Sequence, residues 1–256
     1  MMKGFLLALQ FFTIIPIHKE LPMTKKYITQ MFIALPIVGA LIGGVAAMVF
    51  WGLHDYTSFS SLLITLAVLL TLVKLTGGLH LDGLIDMGDA YFSYRSIEKR
   101  HEILDDPRVG AFGVMTIVFF ILTKFIILNE LILSDAMTFY WLIFIPFLAR
   151  ISMAHYLIIT PASKEKGIGA FFCSHISFQK FSVIMLVFLL LSATLVGWYS
   201  EQWLIALSMV IASLIAPLFY KYWTVKNFNG SSGDLFGAFI EGMELLLWII
   251  LLIFIS

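Results

Sequence analysis

The chain has one cysteine among 256 residues, Cys173, so no disulfide can form within it. Charge is scarce too. Asp, Glu, Lys and Arg make up 12% of the sequence, and 16 bases balance 16 acids. With no net charge and no dense basic patch, the sequence gives no support for a nucleic-acid partner. It contains no G-x-x-x-x-G-K-[ST] loop, which excludes a P-loop nucleotidase. What fills the chain is apolar: 61% of residues are hydrophobic, with 24 Phe, and the mean hydropathy is +0.98. Such a chain cannot keep its apolar side chains from water by folding as a soluble globule. It reads as an all-α, polytopic membrane helix bundle, a single integral-membrane domain over residues 1–256, with the lipid bilayer as its surroundings.

A spanning helix needs about 20 mostly apolar residues. Seven stretches qualify, roughly 31–53, 59–76, 109–128, 138–160, 181–199, 203–221 and 235–255. Residues 4–17 are short for a span and read as a half-helix or interfacial helix. This segment resembles a signal sequence, but Pro16 interrupts it and no small-x-small site follows, so it is expected to stay in the mature protein. Gly39, Gly43 and Gly44 in the first span are expected to admit close helix contact.

The loops alternate in charge. Lys19, Lys25 and Lys26 precede the first span. Arg95, Lys99, Arg100 and Arg108 separate the second from the third; Lys164, Lys166 and Lys180 the fourth from the fifth; Lys221 and Lys226 the sixth from the seventh. The loops near 54–58, 129–137 and 200–202 hold no Lys or Arg. Basic loops face the cytoplasm, which predicts seven spans, a C-terminus outside, and three polar motifs facing the cytosol.

The first motif is T-G-G-L-H-L-D-G-L-I-D-M-G-D, residues 76–89. On a helix, Asp82, Asp86 and Asp89 share one face. Carboxylates so crowded repel one another unless a cation sits among them, and hard oxygen ligands suit Mg²⁺. A solvated acidic helix face is the competing reading. Gly77 and Gly78 break the helix, and His80 is a candidate base or phosphate contact. The second motif, Asp105-Asp106-Pro107-Arg108-Val109-Gly110-Ala111-Phe112-Gly113, opens a span. Gly110 and Gly113 leave N–H groups open at a helix start, and Arg108 offers a planar fork, both suited to phosphate. The third runs from Asn227 through Asn229 and Gly233 to Asp234, then Gly237, Glu241 and Glu244 on the last helix. Acids inside a membrane helix usually mark function. The plainer reading pairs Glu241 and Glu244 with Arg150 or Lys74. Lys74 also lies close enough to the first motif to reach a phosphate. Lys124 reads as a snorkelling residue near the outer end of its span. Carboxylates for a metal, an arginine and helix-start glycines together point to phosphoryl-type transfer on a membrane-associated substrate.

The run G-G-L-H-L-D-G-L-I-D-M-G-D (77–89) resembles the signature of the cobalamin synthase, or adenosylcobinamide-GDP ribazoletransferase, family. Leu9–Pro16, Leu35–Gly39, Asp106-x-Arg108-x-Gly110-x-x-Gly113 and Gly233-Asp234-x-x-Gly237-Ala238-x-x-Glu241-x-x-Glu244 are similar to further family segments, in order along nearly the whole chain. The resemblance implies a late step of cobalamin (vitamin B12) assembly in a bacterial or archaeal cytoplasmic (inner) membrane. Adenosylcobinamide-GDP would be joined to α-ribazole or its 5′-phosphate, and GMP would leave. Mg²⁺ is then expected on Asp82, Asp86 and Asp89, with Asp106 or Asp234 completing its shell. Lys74, Arg95, Arg108, Gly110, Gly113, Asn229, Gly233 and Glu241 are the expected substrate contacts, and His80 and Asp89 the candidate bases. Homo-oligomers and complexes with other cobalamin-pathway enzymes are compatible with this reading. A CDP-alcohol phosphotransferase is the nearest rival, but its D-G-x-x-A-R signature is not met, since Asp86 stands at the Ala position. A secondary transporter would fit the intramembrane charges, yet no internal repeat is visible and the acidic clusters lie at one face.

Overall fold

A computed structural model describes residues 2–165, 167–176 and 178–255. Lys166 lies outside the described residues, as does the side chain of Lys180. Eleven helices run in chain order: α1 (Met2–Phe12), α2 (Lys25–Tyr56), α3 (Ser61–Leu75), α4 (Leu79–Phe92), α5 (Ile97–Leu104), α6 (Ala111–Leu133), α7 (Phe139–Ile159), α8 (Ile168–Ser174), α9 (Phe178–Ser200), α10 (Trp203–Phe228) and α11 (Gly233–Ile255). Among the described residues there is no strand, only an isolated bridge between Ala162 and Ser231. The protein is a polytopic helical bundle.

Six helices among the described residues, α2, α6, α7, α9, α10 and α11, are long and apolar enough to cross a membrane. The expected second span takes a different form. α3 has 15 residues, about 22 Å at 1.5 Å per residue, against a hydrocarbon core of about 30 Å. The chain then turns at Gly77 and Gly78, whose φ values of +65° and +76° favour glycine. α4 leaves at 88° to α3. The two count as a seventh span only if the bent pair is taken as one. α2, by contrast, begins at Lys25 and is 32 residues long, well beyond the expected 31–53.

α7 lies at the centre. Trp141, Phe144 and Tyr156 are all but fully buried, among α2, α9, α10 and α11. Gly39 and Gly43 bring α2 onto α7: a Cβ at Gly43 would stand 2.1 Å from the Leu142 carbonyl oxygen, and one at Gly39 2.5 Å from that of Pro146. Gly44 faces open space, so two of the three expected contact glycines serve this interface. α1 packs on α2 through Gly4, and Ile14 N–H donates to the Leu75 carbonyl, tying the segment after α1 to the end of α3.

Side chains join the layers where backbone bonds cannot. Tyr156 donates to Thr224 Oγ1 (3.0 Å) and Ser152 to the Ser213 carbonyl (2.8 Å), both linking α7 to α10. The strongest such link is ionic. Lys124 on α6 reaches Oε2 of Glu241 and of Glu244 on α11, each at 2.9 Å. Arg150 on α7 pairs with Oε1 of Glu244 and donates to the Pro146 carbonyl. Lys124 is only 2% exposed, so it does not snorkel. The partners of the two acids are Lys124 and Arg150, and Lys74 is not among them. Two cations and two anions close the set with no net charge, which is what makes it tolerable in a low-dielectric interior.

Candidate active site

The three sequence motifs meet at one end of the bundle. α4 lies across the start of α11. A Cβ at Gly83 would fall 2.5 Å from the Asp234 carbonyl oxygen and 2.8 Å from its Cα, so the two helices are in backbone contact there. This contact places Asp234 beside the Asp82–Asp86–Asp89 stripe. α4 stands outside the six spanning helices. Burial first, and then the charges of Asp82, Asp234 and Asp89, push the Asp86 carboxyl up to about 7.

Asp89 is fixed from the other side. Its Oδ1 accepts the N–H of Gly113 at 3.2 Å. A Cβ at Gly110, which caps α6, would meet Asp89 Oδ2 at 2.1 Å. Of the N–H groups predicted to be open at the start of α6, that of Gly113 holds an anion, and that anion is the chain's own Asp89. Glycine at 110 is required for the carboxylate to come so close, whereas a Cβ at Gly113 would meet Ile85.

Other expected site residues stand elsewhere. The Arg108 fork folds back on Asp106, with Nε at 2.9 Å from Oδ1 and Nη2 at 2.6 Å from Oδ2. This pairing holds the Asp106 carboxyl down at about 2. Asp106, expected in the metal shell, thus sits in an ion pair, and Arg108 is 86% exposed at its side chain. Lys74, Arg95, Asn229 and Gly233 are exposed, and Asn229 ends α10 in the left-handed region with φ +57°. Two residues are withdrawn from any ligand. Glu241, expected among the substrate contacts, lies two turns into α11, engaged by Lys124 and 5% exposed. His80 is 2% exposed, with its backbone against Gly237 and its ring beside Phe12 at 6.4 Å. Neither ring nitrogen has a hydrogen-bond partner. That burial sets the His80 ring apart from solvent.

Sequence reasoning missed how the loops are tied. Arg100 donates from Nη1 to the backbone and side-chain oxygens of Asn227 (3.0 and 2.9 Å) and stacks over Tyr91 and Phe228. Lys164 pairs with Asp105 at 2.5 Å. The Ala162–Ser231 bridge binds the α7–α8 loop to the α10–α11 loop. No local pattern marks these partners; each is set by how the helices cross. Between the two loops lies a polar cleft of about 250 Å³ that includes Asp234 in its wall. A roomier groove of about 650 Å³ between α10 and α11 is almost wholly apolar and carries none of this chemistry.

As the side chains stand, no group of three His, Cys, Asp or Glu among the described residues converges closely enough to grip a metal ion. The donor set is nonetheless four hard carboxylates crowded on one face, and among the described residues no Lys or Arg pairs with Asp82, Asp86, Asp89 or Asp234. Uncompensated negative charge of this kind fits a divalent cation that is itself bound to phosphate.

Fold and site together define a polytopic membrane protein with a carboxylate-lined site at one end of its bundle. The profile of the cobalamin-5-phosphate synthase family matches residues 4–252, and the chain belongs to that family. It is similar to proteins named adenosylcobinamide-GDP ribazoletransferase. One from Geobacillus sp. (strain WCH70) is 36% identical over 250 residues, covering 96% of this chain and 94% of the relative. One from Halalkalibacterium halodurans is 33% identical, covering 96% and 94%. One from Clostridium botulinum (strain 657) is 33% identical, covering 98% of each. No solved structure matches the chain significantly.

Proposed function

We propose that the chain is an adenosylcobinamide-GDP ribazoletransferase, joining adenosylcobinamide-GDP to α-ribazole or its 5′-phosphate with release of GMP. The observation that carries this reading is the Gly83–Asp234 contact, which unites carboxylates from two distant motifs beside the start of α6. A ribose hydroxyl of the ribazole attacks the phosphorus that bears the cobinamide arm. The new P–O bond forms as the bond to GMP breaks, and GMP takes the electron pair. The hydroxyl proton passes to a carboxylate, with Asp89 the candidate acceptor. Asp82, Asp86, Asp89 and Asp234 would hold Mg²⁺, which would supply neutralisation of charge on the pyrophosphate. Asp89, pinned by Gly110 and Gly113, keeps one edge of that face rigid. Exposed Lys74 and Arg95 lie free to contact phosphate oxygens.

The alternation of basic and neutral loops supports a polar end in the cytoplasm and a C-terminus outside, in the cytoplasmic membrane. Purified protein in detergent, given adenosylcobinamide-GDP, α-ribazole 5′-phosphate and Mg²⁺, is expected to release GMP and form the joined product. No release from folded protein overturns the reading.

A further inference from the structure

The cleft that Asp234 lines adjoins the carboxylate stripe of α4 without including any α4 residue, and adds a lysine and serines to the acids in its wall. Asp105 at the end of α5, Ser163 and Lys164 from the α7–α8 loop, Gly169 of α8, and Ser232 to Asp234 at the start of α11 form its walls. Its volume of about 250 Å³ falls below the roughly 300 Å³ at which sites for whole small molecules begin. It is sized for part of a substrate. Lys164 is the one base among its lining residues. Its present partner is Asp105, and the two side chains are 35% and 70% exposed. A pair so open to water is weak and readily exchanged. Gly233 meets no atom within 4 Å of where a Cβ would stand, so a ligand can lie against the backbone there. A lysine, serine hydroxyls and an open backbone are the partners a phosphate monoester uses.

We infer that this cleft holds the 5′-phosphate of the ribazole acceptor, with Lys164 leaving Asp105 to bind it. The inference rests on the transferase reading above and adds which end of the acceptor the protein grips. Asp234 lines the cleft while its backbone touches Gly83 on the carboxylate helix. An acceptor anchored by its phosphate therefore has its ribose beside the metal-binding face, where its hydroxyl must react. The phosphate carries a charge near −2 at neutral pH, Asp105 and Asp234 in the same wall oppose it, and the Lys164 ammonium is the main attraction available to it in this cleft.

The test compares two acceptors, α-ribazole 5′-phosphate and α-ribazole, in the parent and in Lys164→Gln and Lys164→Arg. The ratio of the two KM values isolates the phosphate contact. Lys164→Gln is expected to erode the preference for the phosphorylated acceptor by roughly ten- to a hundredfold, the weight of one charge-assisted bond. Lys164→Arg should restore most of it. Inorganic phosphate should compete with the phosphorylated acceptor in the parent. An unchanged ratio in Lys164→Gln, or phosphate that does not compete, overturns the inference. Absence of GMP release with either acceptor in the parent instead refutes the transferase reading, so the two failures are distinct.

Discussion

Replacing Gly110 with alanine puts a methyl group where the Asp89 carboxylate now stands. The added Cβ would lie 2.1 Å from Oδ2, and since ordinary contact begins near 3.4 Å the carboxylate must retreat by about 1.3 Å. That retreat breaks the 3.2 Å bond from Gly113 N–H. A bond to a charged group contributes about 1.5–3 kcal/mol, and a displacement of about 1 Å at a reacting centre can cost on the order of a hundredfold in rate. Gly110 itself has φ −90° and ψ 173°, which alanine adopts without strain. The fold should therefore survive while the site is disturbed. GMP release under saturating substrate is expected to fall about ten- to a hundredfold, with helicity in detergent close to the parent and a thermal midpoint lowered only by the loss of that one bond. Gly44→Ala, where the new Cβ meets nothing within 4 Å, is the reference for adding a methyl group at a membrane glycine. Turnover within about twofold of the parent would refute the claim that α6 holds Asp89 in its working position.

Asp82→Ala should abolish turnover while leaving helicity intact; near-normal activity would sink the metal-binding assignment. Chelation of divalent ions should stop GMP release, and added Mg²⁺ should restore it; persistence in excess chelator would exclude the metal role. Gly83→Ala drives a Cβ to 2.5 Å from backbone that cannot yield, so stability should fall by about 1–3 kcal/mol and turnover with it, read from thermal unfolding beside the rate. Lys124→Met leaves Glu241 and Glu244 buried without their shared cation. It should cost about 3–5 kcal/mol, partly recovered when Glu241→Gln is added; an unaltered unfolding midpoint would show that the ion set contributes nothing.

The fold was legible because apolar runs of spanning length are hard to mistake and the loop charges count them independently. α3 escaped that logic: residues 59–76 are apolar enough to look like a full span, but Gly77 and Gly78 turn the chain after about 22 Å of helix. The carboxylate stripe was legible because its offsets lie within one helix. Partnerships across helices were not. Nothing local in Lys124 distinguishes a snorkelling lysine from one that closes an ion set with α11, and only the crossing of α6 over α11 decides. Arg108 looked free for phosphate because the sequence does not show its fork turned onto Asp106, two residues away. At the start of α6 the Gly113 N–H expected to face a phosphate is taken by the chain's own Asp89, a partner from another helix that no local pattern reveals.

The buried ion set also orders the chain's assembly. Lys124 and Arg150 belong to α6 and α7, which enter the membrane well before α11 delivers Glu241 and Glu244. Until then two cations wait in a medium that penalises each of them by several kcal/mol. The last helix is thus the keystone of membrane insertion. It also brings Asp234, so the one helix that neutralises the two buried cations carries a further carboxylate to the α4 stripe.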